Sequence, residues 1–253
     1  MQQQSNTYVI IFSVITTIVL GGMLAMANQF LKPRQQKSIE LDTKRQILNA
    51  VTDLKGKKGK EILDLYNQTI DGIVIDINGK NIEDSENGTA ITADKVDVAR
   101  NYKKPPEERA YPVFIYHKQG DAEAVESYII PVYGNGLWGN IWGYVALDTD
   151  LNTVKGASFD HDSETPGLGA RISSSDVEGR FKGKKLFDES GHLKSVIMLK
   201  GERNPENMLD IHHVDGLSGA TLTVNGLNSM LQNYFEYYSA FIKKASKNKV
   251  AAL

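Results

Sequence analysis

The chain has 253 residues, and its 29 Lys and Arg against 31 Asp and Glu leave a formal net charge of −2 at pH 7. That near-balance, without interleaved aromatic and basic residues, offers no electrostatic basis for a nucleic-acid partner. No cysteine is present, so the chain cannot itself build an iron–sulfur cluster, a disulfide or a thiolate metal site; any redox role must come from an organic cofactor or from other subunits.

The first predicted element is a membrane span. Residues 2–31 carry no charged side chain and residues 8–27 are overwhelmingly apolar, close to the ~20 residues that cross a hydrocarbon core as one helix. Thr16, Thr17, Gly21 and Gly22 give it a small-residue face suited to packing on another helix. Ala25-Met26-Ala27 has the small-x-small form of a signal-peptidase site. Residues 1–7 lack Lys and Arg, however, and the apolar run is longer than a signal core, so a retained anchor is expected. Lys32, Arg34, Lys37, Lys44 and Arg45 follow the span, and this charge pattern by itself would leave the remaining chain in the cytoplasm.

A second helix is expected over residues 38–53, with Leu41, Ile47, Leu48 and Val51 inward. The lysines at 55, 57, 58 and 60 read as a solvated turn, residues 61–69 as a short helix, and residues 73–77 as a strand entering a hairpin at Asn78-Gly79. Residues 81–109 are polar and read as a surface insertion with little regular structure. Four strand-like runs follow at 111–117, 127–133, 141–148 and 154–160, spaced as an antiparallel meander. A short helix at 175–181 and a fifth strand-like run at 192–200 come next. Leu227, Met230, Leu231, Tyr234, Phe235, Tyr238, Phe241 and Ile242 then recur at helical spacing and predict an amphipathic helix over 221–245. The order gives an α+β fold: one N-terminal transmembrane helix, then an antiparallel sheet covered by helices.

Three motifs stand out on this scaffold. Asp215-Gly216-Leu217-Ser218-Gly219-Ala220-Thr221 places a hydroxyl at the opening of the last helix, where free backbone N–H groups and the positive end of the dipole favour a phosphate. Glu164-Thr165-Pro166-Gly167-Leu168-Gly169 is a loop stiffened by proline, with an apolar side chain between two glycines. Gly134-Asn135-Gly136-Leu137-Trp138-Gly139 follows a strand but lacks the subsequent helix and acidic residue of a dinucleotide site, so no NADH site is expected in this chain. His212-His213, His161 and His192 have no spacing that demands a metal, and they read as surface polar residues. Read locally, Ser218 or Asp215 is also an ordinary helix cap and the 164–169 loop an ordinary turn. Trp138 and Trp142 also read as core or interface anchors.

Together the three motifs resemble the FMN-binding domains of bacterial respiratory subunits that carry FMN as a threonine phosphoester. The resemblance extends along residues 131–169 and 200–226, and with the N-terminal span it points to the C-subunit family of Na+-translocating NADH:quinone reductases. The shorter G-subunits of Rnf ferredoxin:NAD+ complexes share the motifs and are the second choice. This implies a transmembrane anchor over residues 1–31, a helical and hairpin part with a polar insertion over 32–110, and an FMN-binding domain over 111–253. It implies covalent FMN on Thr221, with Ser218, Gly219, Ala220 and Leu222 beside it. Glu164, Thr165, Gly167, Leu168, Gly169 and Trp138 would approach the isoalloxazine ring, and Lys200 is the candidate for a nearby positive charge. The protein would be an electron carrier with neither a catalytic residue nor a metal of its own. It would be flavinylated by a separate flavin transferase and would work with integral-membrane and peripheral subunits that couple NADH oxidation and quinone reduction to Na+ export. The resemblance implies a single-pass protein of the inner membrane with its domain on the periplasmic side, against the bare charge rule. The alternative from another class is a membrane-tethered module holding a phosphate-bearing ligand noncovalently.

Overall fold

The computed structural model describes residues 6–82 and 91–251. The chain falls into two units, Met1–Thr43 and Lys44–Leu253. The first consists of most of α1 (Asn6–Asn49), whose apolar side chains from Tyr8 to Leu31 are exposed. By length and composition this helix can cross a membrane, and none of its most apolar window is buried. The helix expected over 38–53 is the continuation of α1, which runs through Pro33. Proline removes one backbone donor. Leu31 and Lys32 before it and Arg34, Gln35, Gln36 and Lys37 after it are good helix formers, however, and no glycine follows until Gly56, so a single lost bond does not end the helix.

The second unit is built on a five-stranded sheet in the order β1-β2-β3-β4-β5, with every neighbouring pair antiparallel. The strands are β1 (Ile70–Ile75), β2 (Tyr111–Lys118), β3 (Asp121–Asn135), β4 (Asn140–Asp148) and β5 (Val154–His161). The predicted meander is therefore present, and β1 adds a strand to its edge. Burial follows the two-residue period of a strand. Val113, Ile130, Val132 and Val145 point into the main core. Alternate neighbours such as Phe114 and Ile129 are buried outside it, as are Ile62 and Tyr66 of α2 (Gly59–Thr69), which packs on β1 and β2.

The main core is closed by α5 (Thr221–Ala251), which buries Val224, Leu227, Met230, Leu231, Tyr234, Phe235 and Tyr238. Each such side chain removed from water contributes roughly 1.5–3 kcal/mol before entropy is counted. Tyr238, the largest of the fully buried side chains, donates its hydroxyl to the carbonyl of Pro112 at 2.7 Å, so its polar end is satisfied inside the core. The start of α5 lies against the β3–β4 turn. A Cβ at Gly226 would stand 2.2 Å from the Asn135 carbonyl oxygen, and one at Gly134 would stand 2.9 Å from Met230 Cβ. This close approach brings the helix N-terminus to the end of the sheet where two of the sequence motifs sit.

Two other expectations are corrected. The run at 192–200 supplies only a two-residue strand, β6 (Ile197–Met198), which pairs in parallel with β7 (His213–Val214) and stays off the main sheet. Gly191 and Ser195 take positive φ values of 77° and 61°, which interrupt extended backbone. The insertion at 81–109 is partly regular: a helix, α3 (Val98–Tyr102), is capped by the Asp97 side chain, and 3-10 turns lie at Ala93–Lys95 and Pro106–Glu108. Residues 83–90 of that insertion lie outside the described residues. The short helix α4 (Ser175–Gly179) stands where one was predicted.

Candidate functional site

Three segments meet at the N-terminus of α5, and the residue that joins them is Glu164. Its side chain is buried, with the residue only 4% exposed. One carboxylate oxygen accepts from the backbone N–H of Trp138 at 2.9 Å, and the other accepts from the Thr223 hydroxyl at 2.5 Å. The N–H groups of Leu137 and Gly139 lie close enough to favour the charged form of the same carboxylate. Burial alone pushes the Glu164 carboxyl up, but the Thr223 hydroxyl and these backbone donors outweigh it and hold it below the usual carboxylate range. The space it occupies depends on glycine. A Cβ at Gly136 would lie 2.4 Å from one Glu164 oxygen, and a Cβ at Gly169 would lie 2.4 Å from both the other oxygen and Thr223 Oγ1.

The β3–β4 turn is closed by the Gly136 N–H donating to the Gly139 carbonyl at 2.8 Å, and it leaves Leu137 and Trp138 exposed. Ser163 Oγ donates to the Trp138 carbonyl at 3.1 Å, a second tie between this turn and the loop after β5. In that loop the Thr165 carbonyl accepts from both Leu168 N–H and Ala170 N–H, which curls residues 165–170 and turns the Leu168 side chain outward. Leu168 reaches the third segment: a Cβ on Gly219 would stand 2.8 Å from Leu168 Cδ2. Gly219 also has φ of +74°, a conformation that glycine adopts without the steric cost other residues meet.

The third segment is held from behind by ionic contacts. Asp215 accepts from Arg203 N–H, Asn204 N–H and Asn204 Nδ2 at 2.8–2.9 Å, and Arg180 donates to the Gly216 carbonyl at 2.8 Å. Burial raises the Asp215 carboxyl, but the Asn204 and Arg203 donors and the Arg180 charge bring it below its ordinary value. Glu202 bridges Arg171, at 2.6 and 2.9 Å, to Arg180, and the Arg171 hydrogen bond first and Arg180 second hold its carboxyl down to about 2. The result is a fixed backbone from Asp215 to Ala220, where Ala220 O accepts the first bond of α5 from Val224 N–H at 2.9 Å. Thr221 is the first residue of the helix and is half-buried, while Ser218 and Leu222 are exposed.

The structure thus brings Thr221, Gly219, Ala220, Leu222, Leu168, Gly169, Glu164 and Trp138 onto three interlocked segments. The Glu164 carboxylate is directed inward to Thr223 and the turn. Thr165 and Gly167 lie on the exposed side of the curled loop, and Lys200 flanks the 201–204 segment that supports Asp215. Trp142 is elsewhere, donating its indole N–H to Gln46 at 3.1 Å. His212 Nδ1 faces the Lys185 carbonyl and His213 Nδ1 faces Asp210, both at 2.7 Å. Sequence reading missed Thr223, Arg171, Arg180, Glu202 and Asn204. Only Thr223, two residues past the motif at a position that α5 must bury, left a signal in its periodicity.

The chemistry of this arrangement suits FMN. A hydroxyl at a helix N-terminus fits a phosphate, and the exposed apolar groups Leu137 (44%), Trp138 (68%), Leu168 (41%) and Leu222 (58%) offer unclaimed surface for an aromatic ring. Residues 136–236 match the family model described as an FMN-binding domain, a window that opens at the β3–β4 turn and closes within α5. The chain is 31% identical over 98% of its length, and 98% of the relative's, to the Na(+)-translocating NADH-quinone reductase C-subunit from Pseudomonas aeruginosa. It is 35% identical to the corresponding protein from Vibrio campbellii, over 88% of this chain and 86% of that one. The crystal structure of the C-subunit from Parabacteroides distasonis is similar at a TM-score of 0.69 and 35% identity, covering 84% of this chain and 96% of that chain. The chain belongs to the C-subunit family of the Na(+)-translocating NADH-quinone reductases.

Proposed function

We propose that this chain carries FMN as a phosphoester on the Thr221 hydroxyl and serves as a membrane-anchored electron-transfer subunit of an NADH:quinone reductase that exports Na+. The observation that carries the reading is the placement of Thr221. It opens α5 behind the φ-positive Gly219, next to Leu168, on a backbone fixed by Asp215 and Arg180. Ester formation needs the Thr221 oxygen to displace AMP from FAD at the FMN phosphorus, with loss of the hydroxyl proton, and a flavin transferase supplies that step. The first N–H groups of α5 would hold the phosphate. Leu168, Trp138 and Leu222, all exposed, would cover the ring, and the fixed loop would hold it in one place. The bound FMN supplies reversible electron transfer. NADH oxidation and quinone reduction fall to other subunits of the complex.

The domain faces the periplasm in this reading. Lys32, Arg34 and Lys37 just past the span oppose it, but long domains translocate largely regardless of such charges. Substitution tests the attachment. Thr221→Ala, coexpressed with a flavin transferase, is expected to give a folded protein with no flavin fluorescence after denaturing electrophoresis, while Ser218→Ala keeps it. A fluorescent Thr221→Ala band refutes the assignment.

A further inference from the structure

Glu164 presents a charge where the fold has no obvious need of one. It is 4% exposed, and the two groups that hydrogen-bond to its carboxylate, the Thr223 hydroxyl and the N–H of Trp138, are neutral, as are the nearby N–H groups of Leu137 and Gly139. Neutral donors stabilise an anion without cancelling its charge, and among the described residues no Lys or Arg is paired with it. A Gln or a Ser in its place could satisfy part of the same geometry. What only an ionised carboxylate adds is a fixed field, felt further through protein than it would be through water.

Each partner of that carboxylate belongs to a segment of the flavin site. Thr223 is two residues past Thr221 in α5, Trp138 is on the β3–β4 turn, and Gly169, whose missing side chain leaves room for the Glu164–Thr223 bond, follows Leu168. Flavin acquires negative charge when reduced, so an unpaired anion fixed behind it disfavours the reduced form. We propose that Glu164 is a positioning residue that also sets redox poise: it ties the turn, the loop and α5 together, and its charge lowers the potential of the flavin on Thr221 without touching the ring. This rests on flavin attachment at Thr221.

The test is the midpoint potential of the full-length flavinylated protein in detergent, measured by spectroelectrochemical titration. Glu164→Gln removes the charge and keeps the shape, and it is expected to retain covalent flavin with a potential more positive than that of the wild type. An unchanged or more negative potential in this variant overturns the proposal. Glu164→Asp keeps the charge on a shorter side chain that loosens the same tie, and no positive shift is expected from it. A positive shift in Glu164→Asp as large as that in Glu164→Gln would attribute the effect to loosening and also overturn the proposal. If Glu164→Gln does not fold, Thr223→Val decides: it removes the donor that does most to keep Glu164 ionised, so its potential is expected to lie above the wild type's at acid pH, and an unchanged potential there overturns the proposal. Wild-type protein without covalent flavin would instead remove the attachment reading, and this inference with it.

Discussion

Gly169→Ala probes the joint at the centre of the site. The added methyl would lie 2.4 Å from a Glu164 oxygen and 2.4 Å from Thr223 Oγ1, between two atoms that are themselves hydrogen-bonded at 2.5 Å. The pair must separate. Losing a hydrogen bond to a charged group costs about 1.5–3 kcal/mol, and forcing a methyl into filled space adds about 1–3 kcal/mol. The expected loss is about 3–5 kcal/mol, a large part of the ~5–15 kcal/mol that holds a domain together, and a fall in Tm of roughly 10 °C. Denaturant unfolding of the full chain in detergent reads this directly through Trp138 and Trp142, the chain's two tryptophans. Gly179→Ala is the control: nothing lies within 4 Å of its Cβ position, so no loss is expected. A Gly169→Ala protein within 1 kcal/mol of wild type, about the size of an ordinary surface substitution, would refute the role assigned to the Glu164–Thr223 bond.

The remaining expectations concern the support behind the loop. Carboxyls depressed in the folded state stabilise it above their unfolded pKa, about 4.3 for Glu, and that contribution is lost as pH falls through the folded value, about 2 for Glu202. Stability should therefore decay between roughly pH 4 and pH 2, and Glu202→Gln should flatten this acid limb; an unchanged limb in acid titrations followed by circular dichroism would contradict the Arg171–Glu202–Arg180 bridge. Arg180→Met removes donors to the Asp215 and Gly216 carbonyls and leaves Glu202 with one partner fewer. It should cost about 2–4 kcal/mol and slow flavin incorporation by the transferase; a wild-type incorporation time course would show that the transferase does not need the fixed loop.

How much of this was legible in the residues differs by element. The four strands between 111 and 160 and the helix from Thr221 were readable because burial is one-sided and each period, two or about 3.6, is written in side chains such as Ile141–Leu147 and Leu227–Tyr238. β6 was overestimated because Val196, Ile197 and Met198 look like strand while Ser195 bends the chain at φ +61°. The break after the anchor was expected from local sequence, yet helix propensity on both sides of Pro33 carries α1 through. In the site, the motifs marked the segments but not their joints. Glu164 reads as a ligand-facing residue until its partners are known, and those partners lie 26 and 59 residues away. The Arg171–Glu202–Arg180 bridge likewise spans 31 and 22 positions and has no local spacing to betray it.

The central claim is best tested by peptide mass mapping of the wild-type protein isolated from cells with an active flavin transferase, after denaturation has removed everything held noncovalently. The account predicts one fluorescent band and the mass of FMN, less water, on the peptide spanning 215–227, localised by fragmentation to Thr221. A dark band, or flavin mapped to another residue, would contradict it.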